Sequence, residues 1–248
     1  MSSQVEQDVE APLTFDSIFG RFRDGITKAS SEQPFRLGIL GGTFDPIHIG
    51  HLLLAQFALE QHKLDGVLFV PCNYPFYKLQ SQIWSGLNGP ASAEQRVKML
   101  QLALADSHDF EVSRVEVDRT GPSYTVDTIR LINEHVFAEF GDNRLQLFLI
   151  LGADAMVDLP NWRESKAITD AVTVLYAKRP GTDSIKLETA AQSESIKALP
   201  VDVLPLDVSS TVLRSRVAAG RPIRHFTPQA VIDYIATQGL YLPLETEA

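Results

Sequence analysis

The stretch LGILGGTFDPIHIGHLLLAQ, residues 37–56, places two glycines and two histidines between two apolar segments. The first apolar segment predicts a buried β-strand, and the second predicts an α-helix. Gly41 and Gly42 allow the backbone to come close to a ligand. His48 and His51 fall near the start of the helix, where backbone N–H groups and the helix dipole favour anions. The stretch therefore predicts a phosphate-binding turn between a strand and a helix.

The glycine spacing disfavours two common nucleotide-binding motifs. The order Gly38, Gly41, Gly42 does not match the G-x-G-x-x-G pattern of dinucleotide-binding proteins, and no Gly-Lys-Ser/Thr follows as in a P-loop. A zinc site is also disfavoured, because the two histidines have no third ligand near them in the sequence. At this point the two histidines could still serve only to cap and pack the helix.

The composition is that of an acidic globular protein. The chain has 248 residues, a net charge of −9, 44% hydrophobic residues and 21% charged residues. This balance gives no indication that the protein binds nucleic acid or an anionic membrane. Cys72 is the only cysteine, which excludes a disulfide framework. No apolar run approaches about 20 residues, the length that spans a membrane, and no signal peptide is evident, so we expect a cytoplasmic protein.

From Phe35 onward, strand-like and helix-like patterns alternate. Strands are expected over 35–40, 66–71, 110–117, 145–152 and 172–180. Helices are expected over 49–62, 93–105, 123–141, 210–220 and 227–239. A long loop at 72–91 and a polar excursion at 181–198 complete the pattern. The alternation predicts an α/β fold with a Rossmann-like, doubly wound, mostly parallel sheet and helices on both faces.

Residues 1–35 are expected to form an amino-terminal extension to a domain at 36–243. Residues 1–13 have the polar composition of a disordered tail. The apolar side chains that then recur at helical spacing are Phe15, Ile18, Phe19, Phe22 and Ile26. Their stripe predicts a short amphipathic helix packed on the domain or on a partner subunit.

Several motifs carry a resemblance to a known family. GGTFDPIHIGH, residues 41–51, resembles the signature of the HxGH nucleotidyltransferases, in particular the bacterial nicotinate-nucleotide adenylyltransferases. Further motifs resemble that family in the same order, and they are PSYT at 122–125, GAD at 152–154 followed by Trp162, KRPG at 178–181, SSTVLR at 209–214 and the ending VIDYIATQGLY at 231–241. One loop departs from the family pattern, because Phe76 and Tyr77 replace the usual Pro and His before Lys78.

The resemblance implies an enzyme that transfers the adenylyl group of ATP to nicotinate mononucleotide, forming deamido-NAD and pyrophosphate in NAD biosynthesis. It implies catalytic roles for His48, His51 and Arg214 on the phosphates. The residues it implies for ATP are Gly41, Gly42, Thr43, Phe44, Lys78, Gly152, Asp154, Ser209, Ser210 and Thr211. The residues it implies for the mononucleotide are Ser123, Tyr124, Thr125 and Trp162, with Trp162 stacking on the pyridine ring. Mg²⁺ is expected on the ATP phosphates rather than on protein ligands.

The implied reaction needs no covalent intermediate. The mononucleotide phosphate attacks the α-phosphorus of ATP and pyrophosphate leaves, so positioning and charge stabilisation are sufficient. The chain shows no serine hydrolase motif that would indicate covalent catalysis.

Other functions remain open from the sequence alone. A related transferase could act on nicotinamide mononucleotide or another phosphate acceptor, and a non-catalytic nucleotide sensor could have lost activity through its changed loop. Structural roles also remain open: Arg214 could pair with Asp207 in solvent, Trp162 could belong to the core, and Asp154 could cap a helix. A homo-oligomer is equally left open.

Overall fold

The computed structural model describes residues 13–73, 89–178, 187, 190 and 196–243. In this part of the chain six strands form one sheet, and they are β1 (Phe35–Gly42), β2 (Gly66–Pro71), β3 (Phe110–Val112), β4 (Leu145–Leu151), β5 (Thr173–Lys178) and β6 (Ala198–Asp202). Their order is β3-β2-β1-β4-β5-β6, and all pairings are parallel. The chain reverses its direction of winding between β1 and β4, which is where ligands bind beyond the strands' carboxyl ends. The predicted doubly wound parallel sheet is confirmed.

Helices cover both faces of this sheet. Their bounds are α1 (Phe15–Phe19), α2 (Arg23–Lys28), α3 (Ile49–Gln61), α4 (Ala93–Ala103), α5 (Thr125–Phe140), α6 (Ala153–Asp158), α7 (Ser165–Ala171), α8 (Ser210–Ala218) and α9 (Gln229–Thr237). Helices α1, α2, α5, α6 and α7 pack on one face, and α3, α4, α8 and α9 pack on the other. Alternate residues of β1 serve the two faces: Leu37 and Ile39 join the first cluster, and Leu40 joins the second. Burial on both sides explains why the central strands are continuous apolar runs.

Several predicted boundaries agree with the structure. Ser92 and Gln95 form the capping box that begins α4. Helix α5 ends at Gly141, which takes the left-handed conformation that terminates many helices. The predicted strand at 110–117 ends earlier, at Val112, because the chain then turns over Arg114 to Asp118.

The short strand β6 was not predicted. It lies at the edge of the sheet, three of its five residues are exposed, and it contains Pro200. An edge strand needs neither an apolar pattern nor a complete set of backbone N–H groups, so its sequence gives little signal. Most of the predicted loop at 72–91 and of the excursion at 181–198 lies outside the described residues.

The amino-terminal segment is part of the core of the domain. All five residues of its apolar stripe are buried on the first face of the sheet. The prediction of one helix was wrong, because α1 and α2 are separated by a 3-10 turn that begins at Gly20, whose φ is +49°. The ring of Phe15 contacts Phe140 of α5 edge-on at 5.6 Å, and Phe22 lies 5.7 Å from Phe35 of β1. The segment therefore packs on its own chain. No helix in the described part of the chain is both long enough and apolar enough to cross a membrane.

Candidate active site

The turn between β1 and α3 lies at the carboxyl edge of the sheet, at the point where the winding reverses. Phe44 has a φ of +52°, and its ring is buried in the core. A Cβ on Gly42 would lie 3.0 Å from that ring, so a larger residue there would press on the Phe44 ring. The Phe44 ring contacts His51 edge-on at 5.0 Å. Its side chain therefore supports a histidine, and the contact of Phe44 with ATP stays a prediction.

The two histidines are held together at the start of α3. His48 is the N-cap and His51 the third residue of the helix, and their rings stack 3.7 Å apart. The Nδ1 atom of His51 accepts a hydrogen bond from the backbone N–H of His48 at 3.3 Å. In the neutral ring this bond places the remaining proton on Nε2, which then can donate to an anion. The histidines therefore do cap the helix, as the sequence left open. The same hydrogen bond also orients the His51 ring for binding an anion.

Three carbonyl groups of this turn are bound by side chains from the carboxyl-terminal third of the chain. The donors to the carbonyls of Asp45, Pro46 and Ile47 are Arg214 at 2.8 Å, Ser210 at 2.9 Å and Thr227 at 2.9 Å. The backbone N–H of Ile49, the first residue of α3, donates to the carbonyl of Phe226 at 2.8 Å. The position of the histidines therefore depends on α8 and on the loop that precedes α9.

Arg214 lies at the turn that carries the histidines. Its side chain is 4% exposed, and besides the Asp45 carbonyl it contacts the hydroxyl of Thr211 at 3.1 Å. Burial lowers the pKa of the guanidinium, while the nearby Asp45 favours its charged form. The alternative of a solvent-exposed ion pair with Asp207 is excluded by this burial. Arg214 thus binds the turn that leads to His48, and its role on the phosphates stays a prediction.

The side chains of Ser209, Ser210 and Thr211 make hydrogen bonds within the protein. Ser209 caps α8 by accepting a hydrogen bond from the backbone of Val212 at 3.3 Å. The Ser210 hydroxyl donates to the Pro46 carbonyl and so helps to hold the turn, and the contact of Ser210 with ATP stays a prediction. Thr211 accepts from Arg214 and keeps its own hydroxyl hydrogen for a ligand.

Sequence reasoning missed Asp45 and Arg96. Asp45 is 1% exposed, and its Oδ1 accepts hydrogen bonds from the Tyr241 hydroxyl and from the backbone of Ala91. Burial raises the pKa of this carboxyl, and Tyr241, Arg214 and Arg96 oppose that rise. Arg96 is also buried and donates to the carbonyls of Thr43 at 2.9 Å and Asn73 at 2.8 Å. A signal did exist, because Arg96 lies three and four residues before buried Met99 and Leu100, on the apolar face of its helix.

Open space lies above the ends of β1 and β4. A Cβ added at Gly41 or at Gly152 would meet no described atom within 4 Å. Gly152 is the N-cap of α6, and Asp154 is exposed in the first turn of that helix, so the capping alternative for Asp154 is not supported. Lys78, with Phe76 and Tyr77, lies outside the described residues. No group of three His, Cys, Asp or Glu side chains that could hold a metal occurs within the described ranges.

A second cavity, of about 540 Å³, lies at the start of α5. Its lining residues are Ser123, Tyr124, Thr125, Asp158, Asn161, Trp162, Arg163 and Ile168. The structure thus brings together the PSYT segment and the tryptophan that the resemblance assigned to one ligand. Trp162 is half-buried, and its indole N–H donates to Asp158 at 3.2 Å. Tyr124 is the N-cap of α5 with its ring under the guanidinium of Arg163 at 4.6 Å.

A buried carboxyl lies behind the wall of this cavity. Glu116 accepts a hydrogen bond from the Thr128 hydroxyl at 2.6 Å and also bonds to Ser123. Burial raises the pKa of Glu116. Ser123 in turn accepts from the backbone N–H of Asn73 at 3.2 Å. The Ser123 hydroxyl is therefore engaged within the protein, and the backbone of Tyr124 and Thr125 is left as the polar lining of the segment.

Comparison with known proteins places these features in a family. Residues 39–216 match the family model described as cytidylyltransferase-like. A protein of Roseiflexus sp. (strain RS-1) named "Probable nicotinate-nucleotide adenylyltransferase" is 43% identical over 210 residues, covering 83% of this chain and 97% of that protein. A protein of the same name from Corynebacterium kroppenstedtii is 39% identical over 216 residues, covering 87% and 95%. The solved structure of Plasmodium falciparum nicotinic acid mononucleotide adenylyltransferase complexed with NaAD has a TM-score of 0.65 at 17% identity, covering 83% and 97%, and shows the shared fold.

Proposed function

This chain belongs to the nicotinate-nucleotide adenylyltransferases, and from that premise we propose that it transfers the adenylyl group of ATP to nicotinate mononucleotide in NAD biosynthesis. The products are deamido-NAD and pyrophosphate. The observation that carries the proposal is the pairing of two sites on one sheet. One is the turn that carries the stacked His48 and His51 and binds Arg214 through the Asp45 carbonyl, and the other is the cavity lined by Trp162.

The turn supplies the charge stabilisation that adenylyl transfer requires. Negative charge develops on the α-phosphate and on the leaving pyrophosphate in the transition state. Nε2–H of His51, the guanidinium of Arg214 and the backbone N–H groups after Gly42 are donors that need no reorganisation when this charge appears. His51 is the residue we assign to the transition state, and His48 and Arg214 to holding the polyphosphate. The mononucleotide phosphate is itself the nucleophile, so no protein nucleophile is involved.

The cavity supplies the recognition of the pyridine ring. Trp162 offers an aromatic face at the wall, against which a flat ring can stack. Helix α5 has 16 residues, and its positive N-terminal end opens into the cavity at Tyr124 and Thr125. Backbone N–H groups there favour a nicotinate carboxylate over a neutral amide, and the guanidinium of Arg163 adds positive charge beside them.

The adenosine half is assigned to the open space above β1 and β4. Gly41 and Gly152 leave room for the nucleotide, and the exposed Asp154 is a carboxylate that can accept from ribose hydroxyls. We propose that Mg²⁺ enters with ATP, held by the phosphates and water, as hard cations of this size often are. Three further points stay predictions: a cytoplasmic location, the division of the chain into an extension at 1–35 and a domain at 36–243, and self-association.

A pyrophosphate-release assay with ATP and Mg²⁺ tests the proposal. Nicotinate mononucleotide and nicotinamide mononucleotide are tested in parallel. We expect pyrophosphate release only when ATP and a mononucleotide are both present, and faster release with nicotinate mononucleotide. Chelation of Mg²⁺ should abolish release, and added Mg²⁺ should restore it. ATP binding without pyrophosphate release on addition of any mononucleotide would instead identify a nucleotide sensor.

A further inference from the structure

A single hydroxyl group joins the end of the chain to the catalytic turn. Tyr241, which follows α9, is 1% exposed, and its hydroxyl donates to Oδ1 of Asp45, a residue 196 positions earlier. Both ends of this bond adjoin left-handed backbone, since Tyr241 has a φ of +63° and Phe44, just before Asp45, has a φ of +52°. Such conformations cost free energy for non-glycine residues and persist where surrounding contacts hold them.

The Asp45 carboxyl has few other groups that set its position. Its Oδ1 also accepts from the backbone of Ala91 at 3.3 Å. Its Oδ2 is buried and has no hydrogen-bond partner among the described residues. Arg96 of α4 and Arg214 of α8 act on the carboxyl through their charges. A buried carboxyl with one oxygen unbonded depends strongly on the bonds that the other oxygen makes.

The backbone of Asp45 leads directly to the residues assigned to the reaction. Its carbonyl accepts from Arg214 at 2.8 Å, and the chain then runs through Pro46 and Ile47 to His48. We propose that Tyr241 is a positioning residue for adenylyl transfer, because its hydroxyl sets Asp45 and Asp45 sets Arg214 and the histidine pair. The inference rests on the proposed function, and it assigns Tyr241 no contact with the substrate.

The proposal differs from a role in stability alone. ATP in its ground state has many contacts available and tolerates a small shift of the turn. The transition state requires His51 and Arg214 within hydrogen-bonding distance of the developing negative charge. A small shift of the turn therefore reduces kcat more than it raises KM. A residue that only stabilised the fold would lower the melting temperature and leave both constants unchanged in the folded protein.

Tyr241→Phe in the full chain removes the hydroxyl and keeps the ring. We expect kcat of pyrophosphate release to fall about 10- to 100-fold, with KM for ATP and for nicotinate mononucleotide changed by less than about 3-fold. The matched control is Tyr234→Phe, because Tyr234 lies in α9 of the same segment and packs on the same cluster. Its hydroxyl has no hydrogen-bond partner among the described residues, so we expect wild-type kcat and KM.

A double-mutant cycle tests whether Tyr241 acts through Asp45. The variants are Asp45→Ala, Tyr241→Phe and the double variant, each measured well below its melting temperature. We expect the double variant to be no slower than Asp45→Ala alone, whereas losses that multiply would overturn the proposal. Should Asp45→Ala fail to fold, the comparison of Tyr241→Phe with Tyr234→Phe decides.

Wild-type kcat in folded Tyr241→Phe, or a rise in KM at constant kcat, contradicts the inference while leaving the enzyme's function intact. Failure of the proposed function looks different, since the wild-type protein itself would then release no pyrophosphate with any mononucleotide.

Discussion

The turn before α3 and the cavity around Trp162 are built in opposite ways. The turn is buried, and four of the side chains that hold it come from positions 164 to 196 residues further along the chain. The cavity is formed by two short segments, 123–125 and 158–168, and several of its side chains are half-buried or exposed. Stabilising a transition state requires donors that are fixed before the reaction begins, whereas recognising a flat ring requires a surface that the ring can enter and leave.

The difference predicts that changes at the turn reduce turnover and changes at the cavity reduce binding. The substitutions that follow are ordered by their expected effect on the reaction. A substitution at the turn that changed only KM, or one at the cavity that changed only kcat, would contradict this difference.

The largest effect is expected for His51→Ala. Removing a donor placed at the developing charge should reduce kcat about 100- to 1,000-fold, with a much smaller change in KM for ATP. Steady-state pyrophosphate release measures both constants. The control is His62→Ala at the other end of the same helix, where the ring contacts the carbonyl of Pro200. Unchanged turnover in His51→Ala would remove its assigned role.

Trp162→Ala should have a smaller effect, of the opposite kind. Loss of a stacking face should raise KM for nicotinate mononucleotide about 10-fold, with KM for ATP unchanged and kcat reduced less than in His51→Ala. The same assay with varied mononucleotide measures this. The control is Phe137→Ala, because Phe137 is an exposed aromatic residue near the far end of α5 and does not line the cavity. A loss of kcat at constant KM would show that the two sites are not separable in this way.

Glu116 should make the stability of the protein depend on pH. Because its folded-state pKa is raised by burial, the folded protein binds a proton more readily than the unfolded chain, and stability falls as pH rises above the usual carboxyl pKa. Glu116→Gln should flatten this fall in the free energy of unfolding, measured by urea titration between pH 4 and 8. Glu94 has a lowered pKa through its bond with Arg114, so Glu94→Gln should alter the dependence with the opposite sign. Identical pH profiles for wild type and Glu116→Gln would contradict the assignment.

The smallest effect on the reaction is expected at the amino-terminal segment. Phe19→Ala removes a fully buried ring from the first face of the sheet and should cost about 3–5 kcal/mol of stability. At temperatures where the variant is folded, kcat and both KM values should equal those of wild type. Thermal melts and the pyrophosphate assay on one sample separate the two results. A folded variant with reduced turnover would show that this segment influences the turn or the cavity.

Local patterns were sufficient for five of the six strands and for the strand, turn and helix over 35–61, but they missed β6 and the short helices α6 and α7. The apolar run of β4 and the capping box of α4 depend on neighbours in sequence, and both predictions are confirmed. The apolar stripe of the amino-terminal segment correctly predicted which side chains are buried. It did not predict the break at Gly20, because apolar spacing shows which face of a helix is buried and not whether the helix is continuous. The edge strand β6 escaped prediction because solvent, rather than a core, covers most of it.

The sequence by itself determined that a strand, a glycine turn and a histidine-bearing helix follow one another, because strand and helix periods are properties of adjacent residues. Only the tertiary structure decided that Ser210 holds the Pro46 carbonyl and that Tyr241 meets Asp45. Those bonds join residues far apart in the chain, and no period or spacing records them. They form because the parallel sheet brings the carboxyl ends of its strands to one edge, where each buried polar group must find a partner.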